Sequence, residues 1–174
     1  EWNELEYSAD NGPDAGTGEQ TAEVTTEPLW VGDAEGYQLS VADGDETGAE
    51  VALVRAKQTR VVAESTPIAE AAGSPAPFAI QPRSAWNVRT TPTSTTSALK
   101  MAVVHHTASS NAYSASQVPG ILRSMQAYHM DTKGWSDIAY NFLVDRFGTI
   151  WEGRGGGMGN AVIGAHAMGF NTGS

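Results

Sequence analysis

The sequence predicts an α/β fold in the second half of the chain. Residues 134–154 read as a β-hairpin, residues 116–130 as an amphipathic helix, and residues 99–106 contain an apolar run of strand length. Each of these elements has an apolar face or stripe that must be buried against another element. Together they indicate one domain that combines strands and a helix.

The hairpin is predicted from strand periodicity on both sides of a turn. Residues 140–145 alternate between two faces, as a strand does, and residues 149–151 are β-branched and aromatic, as is typical of a returning strand. Between them, Asp145 and Gly148 stand at the first and last positions of a four-residue turn. Aromatic and charged residues cluster at the ends of the hairpin, which indicates more than a supporting role in a core.

The helix is predicted from apolar residues at helical spacing on one face. Ser116 is the expected N-cap, Pro119 falls within the first turn, and Lys133 with Gly134 ends the helix. The residues expected on the buried face are Val118, Ile121, Leu122, Met125 and Tyr128.

Two continuous apolar runs predict strands that are covered on both faces. The first, at residues 101–104, lies in a strand expected over residues 99–106, which ends at His105 and His106. The second, at residues 161–164, leads to His166. Apolar runs without alternation are typical of strands in the middle of a sheet.

Composition divides the 174 residues into four parts. Residues 1–27 are acidic with few large apolar side chains, and we expect them to be mostly disordered. Residues 28–62 contain short β-type runs between turns, which predict a small β module. Residues 63–82 are rich in Ala, Pro and Ser and read as a linker, so the compact domain is expected over residues 83–174.

Charge and composition exclude several classes of partner. The net charge is −10, but residues 1–80 carry sixteen acidic against three basic residues, and residues 81–174 carry four against seven. The seven basic residues are scattered, so nucleic acid is not an expected partner. There is no cysteine, and no apolar run is long enough to span a bilayer. The chain begins with Glu1 and has no leader, so we expect a piece of a longer protein.

His105 and His106 are the strongest local candidates for chemistry. Successive strand residues point to opposite faces, so the two rings are not expected to bind one metal ion. One could bind a metal while the other turns to a groove, or both could be ordinary core histidines, and the residues alone leave this open. No HExxH helix, no G-x-S-x-G turn and no glycine loop followed by Lys is present.

Five motifs occur in order in the second half of the chain: VHHTA at 104–108, GWSDIAYNF at 134–142, DRFGT at 145–149, EGR at 152–154 and GAHA at 164–167. Together they resemble the family of peptidoglycan recognition proteins and type 2 N-acetylmuramoyl-L-alanine amidases. The resemblance covers residues 83–174. Residues 28–34 are, more weakly, similar to the segment before this domain in secreted actinobacterial-type members.

This resemblance implies a mixed β-sheet flanked by helices, with a zinc ion in an open groove. It implies a secreted cell-wall enzyme that hydrolyses the amide between the lactyl group of N-acetylmuramic acid and L-alanine in peptidoglycan. His105 matches a zinc ligand of the family, and Tyr140 matches its catalytic tyrosine. Zinc with three protein ligands lowers the pKa of a bound water, and a phenol beside it can orient that water or stabilise an oxyanion.

The resemblance also implies a groove that binds the muramyl peptide. The matching positions are His106, Thr107, His129, Gly134, Trp135, Arg154, His166 and Asn171. Gly134 and Trp135 with Arg154 resemble the set associated with meso-diaminopimelate, whose extra carboxylate a guanidinium can bind bidentately. From the residues alone, Arg154 could instead be a surface Arg paired with Glu152, and Trp135 could be a core residue.

The sequence departs from the family in one respect. The family's second zinc His and its third ligand, a Cys or an Asp, match no residue here, because the chain ends before that region. We therefore expect a C-terminally incomplete enzyme that is inactive by itself. The alternative is a module that binds peptidoglycan without cleaving it, and a third interpretation is a protein–protein module that reuses the fold.

Overall fold

The computed structural model describes residues 12–14, 51, 78–89, 92–107 and 109–174. Strand β1 is Ile80–Gln81, and a 3-10 helix at Arg83–Trp86 follows it. A 3-10 turn at Ala115–Gln117 leads into helix α1, Val118–Ala127, which continues as a π-helical turn at Tyr128–Thr132. Strands β2 and β3 are Phe142–Val144 and Ile150–Glu152, and a last 3-10 turn is Asn171–Gly173.

The three strands form one mixed sheet in the order β1-β3-β2. β1 runs parallel to β3, with Ile80 opposite Ile150, and β2 runs antiparallel to β3, with Leu143 opposite Trp151. The sheet together with α1 confirms the predicted α/β class with a mixed sheet, and the β2–β3 pair confirms the hairpin.

The hairpin turn is closed at both ends by Asp145. Its amide donates to the carbonyl of Thr149 at 3.0 Å, and its carbonyl accepts from Gly148, also at 3.0 Å. Its carboxylate accepts from the amides of Phe147 and Thr149 and from the Trp151 indole. Burial raises the pKa of Asp145, but these hydrogen bonds outweigh that effect and leave its pKa lowered.

The helix packs with the face that the sequence predicts. All five expected residues are buried: Val118, Ile121, Leu122, Met125 and Tyr128. Pro119 lies in the first turn of α1, as expected. The N-cap prediction for Ser116 is wrong: Gln117 is the N-cap of α1, and Ser114 caps the 3-10 turn before it, where its amide donates to Gln117 Oε1 at 2.8 Å. The 3-10 turn before α1 provides an earlier start that side-chain spacing alone does not reveal.

Trp86 anchors the core on the helix side. Its side chain has no solvent exposure, and its indole nitrogen donates to the carbonyl of Glu152 on β3 at 2.9 Å. The buried residues around it are Val118, Ile121, Leu122, Met125, Trp135, Ile138, Ala139, Tyr140, Leu143, Trp151 and Ala165. The core therefore lies between α1 and one face of the sheet.

The prediction of a doubly covered strand over residues 99–106 is wrong. These residues form no strand, and Leu99, Met101 and Val104 are exposed, Val104 by 92%. An apolar run becomes a central strand only where other elements pair both its edges and cover both its faces. The amides of Lys100 and Met101 donate to the carbonyl of Gly173. At Val104, none of the described residues covers the side chain in this way.

The second predicted strand, at residues 161–164, is reduced to an isolated bridge. Val162 pairs antiparallel with Thr95, and the amide of Thr96 donates to the carbonyl of Ala161 at 2.8 Å. Val162 is buried, as an apolar strand residue should be. The amide of Ile163 also donates to the carbonyl of Ser94 at 2.9 Å, but the pairing forms a single bridge and no ladder.

Most of the predicted N-terminal organisation lies outside the described residues. This holds for the β module at 28–62, of which residue 51 alone is described, and for nearly all of the acidic region 1–27. Ile80 and Gln81, within the range expected as linker, form β1 of the sheet. None of the helices in the described part of the chain has the length and apolar character needed to cross a membrane.

Candidate functional site

Three side chains from three of the sequence motifs meet at one place. The ring centroids of His105 and Tyr140 are 6.1 Å apart, those of His105 and His166 are 5.3 Å apart, and those of Tyr140 and His166 are 6.0 Å apart. His105 Nε2 and His166 Nδ1 are 3.2 Å apart and share a hydrogen bond. The structure thus brings together the residue expected to bind zinc and the residue expected to be catalytic.

His129 and Trp135 form the buried side of the same group. Their rings stack with centroids 4.9 Å apart and an interplanar angle of 20°, and the ring of His129 lies 5.8 Å from that of Tyr140. The π-helical turn presents His129, and its carbonyl accepts from the amide of Trp135 at 2.9 Å. We call the five residues His105, His129, Trp135, Tyr140 and His166 the aromatic cluster.

Two histidines of the aromatic cluster are held neutral. Burial, with smaller effects from the charges of Lys133 and Arg154, lowers the pKa of His129 to about 3. Burial, followed by the nearby His105 and Arg154, lowers the pKa of His166 to about 4. His129 Nδ1 accepts from the amide of Ala139 at 3.3 Å, so its proton resides on Nε2. A neutral imidazole beside the Tyr140 phenol keeps positive charge out of the interior of the cluster.

The remaining groove candidates differ in their exposure to solvent. His106 and Gly134 are exposed, and Gly134 has a φ of 73°, the left-handed region that glycine enters without strain. Thr107 is half-buried, and its hydroxyl shares a 2.8 Å hydrogen bond with that of Ser109. Trp135 is buried and belongs to the hydrophobic core as well as to the aromatic cluster.

Arg154 is buried and turned toward the loop that precedes Tyr140. One guanidinium nitrogen lies 3.2 Å from the carbonyl of Ile138 and the other lies 2.9 Å from the hydroxyl of Ser136. Its own amide donates to the carbonyl of Tyr140 at 2.8 Å. Arg154 therefore positions the segment that carries Tyr140, a contact that its sequence motif does not reveal.

Asn171 is fully buried beside the cluster. Its side-chain oxygen accepts from the amides of His166 and Ala167 at 2.8 and 2.9 Å. Its side-chain nitrogen donates to the carbonyl of Gly12 at 2.9 Å and to Asp14 Oδ1 at 2.8 Å. The sequence gives no signal for this contact, because the partners are about 160 residues apart and no pattern links them.

The described residues do not complete a zinc site. Among them, no group of three or more His, Cys, Asp or Glu side chains is placed to hold a metal ion. His105 offers an exposed imidazole, but its Nε2 faces the neutral ring of His166. Because zinc in catalytic sites takes three protein ligands, the described part of the chain supplies one expected ligand and not the full set.

The fold and this cluster define a small α/β domain whose histidines and tyrosine line one site. The family model described as N-acetylmuramoyl-L-alanine amidase matches residues 95–174. That part of the chain is therefore similar to N-acetylmuramoyl-L-alanine amidases, and the match makes up 80 of the 174 residues. The match spans all five motifs on which the resemblance depends.

Individual proteins are similar to parts of this chain. Peptidoglycan-recognition protein SC2 of Drosophila simulans is 44% identical over 92 residues, which cover 52% of this chain and 48% of that protein. Human N-acetylmuramoyl-L-alanine amidase is 49% identical over 51 residues, 29% of this chain and 8% of that protein. The solved structure of bumblebee PGRP-SA is 33% identical, with a TM-score of 0.49, and the match covers 55% of this chain and 56% of that chain.

The chain spans about half the length of the SC2 relatives from Drosophila simulans and Drosophila melanogaster.

Proposed function

We propose that this protein binds peptidoglycan fragments at the aromatic cluster and acts as a zinc-dependent N-acetylmuramoyl-L-alanine amidase, secreted to the cell wall. The reaction is hydrolysis of the amide between the lactyl group of N-acetylmuramic acid and L-alanine. The observation that carries this proposal is the meeting of His105 and Tyr140, which come from separate motifs and have ring centroids 6.1 Å apart.

The chemistry of the cluster suits an amide substrate. A buried phenol hydroxyl is a good donor to the oxygen of a carbonyl that gains negative charge during attack by water. Tyr140 is buried, and Arg154 fixes its backbone at the start of the hairpin. The neutral ring of His129 packs beside the ring of Tyr140, where it excludes water without adding a charge. These groups orient a substrate carbonyl, and the proposed zinc ion would supply the activated water.

A second candidate function is binding of peptidoglycan without cleavage. It is favoured by the finding that no three-ligand metal group occurs among the described residues. It also agrees with the printed names of the relatives, several of which are peptidoglycan-recognition proteins. The two candidates share the binding site and differ only in turnover.

The decisive experiment compares three variants of the full-length protein for zinc content, muropeptide affinity and turnover. We expect His105→Ala to lose zinc, measured by mass spectrometry of the metal. We expect Tyr140→Phe to keep zinc and muropeptide affinity but to lose about 10²–10³-fold in release of free stem peptide. Tyr113→Phe is the control, because the Tyr113 hydroxyl accepts from the amide of Arg146 away from the cluster.

The outcomes separate the candidates. Full-length wild-type protein that binds muropeptides by calorimetry but releases no stem peptide, even with zinc, is a recognition module. Wild-type protein that does not bind muropeptides at all refutes both candidates. Zinc content unchanged in His105→Ala contradicts the assignment of His105 as a metal ligand.

The proposed peptidoglycan type is the one with meso-diaminopimelate. The pairing of Gly134 and Trp135 with Arg154 supports it, since a guanidinium can bind the extra carboxylate of that residue. In this structure the Arg154 guanidinium contacts Ser136 and Ile138, so a bound carboxylate must compete with those contacts. Calorimetry with matched muropeptides should give tighter binding to the diaminopimelate type than to the lysine type, and equal affinities would remove this part of the proposal.

A further inference from the structure

Residues 12–14, from the acidic N-terminal region, lie against the candidate site. Five donors of the 169–172 loop converge on the Asp14 carboxylate. The amides of Gly169 and Asn171 donate to Oδ1 at 2.7 and 3.3 Å, and the Asn171 side-chain nitrogen donates to the same oxygen at 2.8 Å. The amide and hydroxyl of Thr172 donate to Oδ2 at 3.3 and 3.0 Å.

This loop is shaped to receive a carboxylate. Gly169 has a φ of 85°, which turns its amide toward the same point as those of Asn171 and Thr172. Successive amides that converge in this way form an anion-binding concavity. Burial raises the pKa of Asp14, but the hydrogen bonds from Asn171, Thr172 and Gly169 outweigh it and lower the pKa, so the group stays ionised.

An apolar contact accompanies the charged one. Gly12 and Pro13 are buried, and a Cβ atom added to Gly12 would lie 3.1 Å from Met168 Cε and 3.9 Å from Trp135 Cζ2. The segment therefore packs on the edge of the Trp135 indole. Trp135 and Asn171 are both positions at which we expect a muropeptide to bind, so the segment covers part of the proposed binding surface.

Asn171 links this contact to the aromatic cluster. Its side-chain nitrogen holds Gly12 and Asp14, while its side-chain oxygen accepts from the amide of His166, whose ring contacts His105. A single buried amide thus joins the N-terminal segment to the histidine pair.

Charge complementarity favours the same arrangement. Residues 1–27 contain eight Asp and Glu and no Lys or Arg, whereas residues 81–174 have three more basic than acidic residues. A tethered acidic segment is present at a high effective concentration, so a weak contact is sufficient to occupy the site.

We propose that residues 12–14 are an intramolecular ligand of the muropeptide site, in which Asp14 occupies a carboxylate-binding loop at residues 169–172 and competes with acidic muropeptides. This contact is autoinhibitory: a muropeptide, whose stem peptide carries free carboxylates, binds when the segment leaves. The inference rests on the proposed function for its ligand, although the contact itself does not.

The test uses Asp14→Ala in the full chain, with Asp131→Asn as a control that also removes one negative charge. Asp131 is exposed and pairs with Arg89 on the surface. Amide hydrogen exchange of residues 167–173, followed by mass spectrometry, reports the contact without any ligand. Calorimetry with a diaminopimelate-type muropeptide reports competition.

We expect Asp14→Ala to accelerate exchange in residues 167–173 and to increase muropeptide affinity, each by about tenfold, because several charge-assisted hydrogen bonds are lost. Asp131→Asn should change either quantity by less than about twofold, as is usual for an exposed pair. Equal exchange in Asp14→Ala and wild type overturns the inference, because the contact then does not form.

The two measurements distinguish failure of this inference from failure of the proposed function. Faster exchange with unchanged muropeptide affinity shows a contact that does not compete, and the inference is then wrong while muropeptide binding stands. If neither wild type nor Asp14→Ala binds the muropeptide, the proposed function is refuted, and competition is refuted with it.

Discussion

Asp137 connects four parts of the molecule through one buried carboxylate. It has no solvent exposure, and it accepts from Gln126 on α1 at 2.6 Å, from its neighbour Ile138 at 2.7 Å and from the amide of Gly155 at 2.9 Å. It also pairs with the Arg83 guanidinium at 2.9 Å. Asp137 therefore fixes one end of the segment 137–140, and Arg154 fixes the other end, where its amide donates to the carbonyl of Tyr140.

We expect Asp137→Ala to lower the free energy of unfolding by about 3–5 kcal/mol, because it removes the counter-charge of the partly buried Arg83 guanidinium and the acceptor of the buried Gly155 amide. Urea denaturation measures the change. The control is Asp131→Ala, which removes an exposed ion pair with Arg89 and should cost about 0–1 kcal/mol. Similar losses in the free energy of unfolding of the two variants would show that the buried contacts of Asp137 stabilise the fold no more than an exposed ion pair does.

The buried histidine His129 makes stability depend on pH. Its pKa is about 3 in the folded protein against an ordinary value of 6.5, so between these values the unfolded chain binds a proton that the folded protein does not. The free energy of unfolding should therefore fall as pH falls from about 6.5 toward about 3, by about 1.4 kcal/mol per pH unit from this residue.

His129→Asn places a side-chain oxygen where Nδ1 accepts from the amide of Ala139, and it removes the titration. Urea denaturation at several pH values between 6.5 and 4.5 should show a shallower slope for this variant than for the wild type. His166, whose pKa is also lowered, leaves part of the slope in place. Parallel slopes for the two proteins would contradict a neutral, buried His129.

At the scale of single residues, the motifs indicate which residues form the candidate site, but they do not indicate which contacts those residues make. His105, Tyr140 and His166 belong to three separate motifs, and the structure places them together. The role of Arg154 in holding Ser136 and Ile138, and the contact of Asp14 with Asn171, could not be predicted. Each of these contacts joins two separate segments of the chain, and no local pattern in the sequence shows that the two segments meet.

At the scale of elements, the accurate predictions concern structure that is determined locally. The apolar face of α1 and the turn of the hairpin depend on residues within a few positions of one another. The strand expected over residues 99–106 depends instead on neighbours far away in the sequence, and exposed Val104 shows that this cover is missing among the described residues. An apolar run predicts what a segment can bury, and the rest of the fold decides whether it is buried.

The hairpin turn offers a test of an element in isolation. Gly148 has a φ of 84°, and a Cβ atom added there would meet nothing within 4 Å. Gly148→Ala should therefore lower the free energy of unfolding by roughly 1–2 kcal/mol through backbone strain alone. Gly173→Ala, where a Cβ atom would make an ordinary 3.8 Å contact with Lys100, should cost less than about 0.5 kcal/mol. Equal effects in thermal or urea unfolding would show that the turn tolerates a side chain.

At the scale of the whole molecule, the described sheet is apolar on both faces. Leu143 and Trp151 face the core, while Phe142 and Val144 on the opposite face are exposed. β2 lies at one edge of the described sheet, since its order is β1-β3-β2. An edge strand with an exposed apolar face is a site where chains associate.

We expect the wild-type chain to associate as its concentration rises, and Val144→Lys to reduce that association, measured by sedimentation velocity. A lysine there removes an apolar side chain that is 68% exposed and adds a charge to the edge strand. Ser116→Lys adds the same charge at an exposed position of the 3-10 turn before α1 and serves as the control. Because both variants change the net charge of −10 equally, a reduction found in both would assign association to charge, whereas a reduction in Val144→Lys alone assigns it to the apolar face of β2.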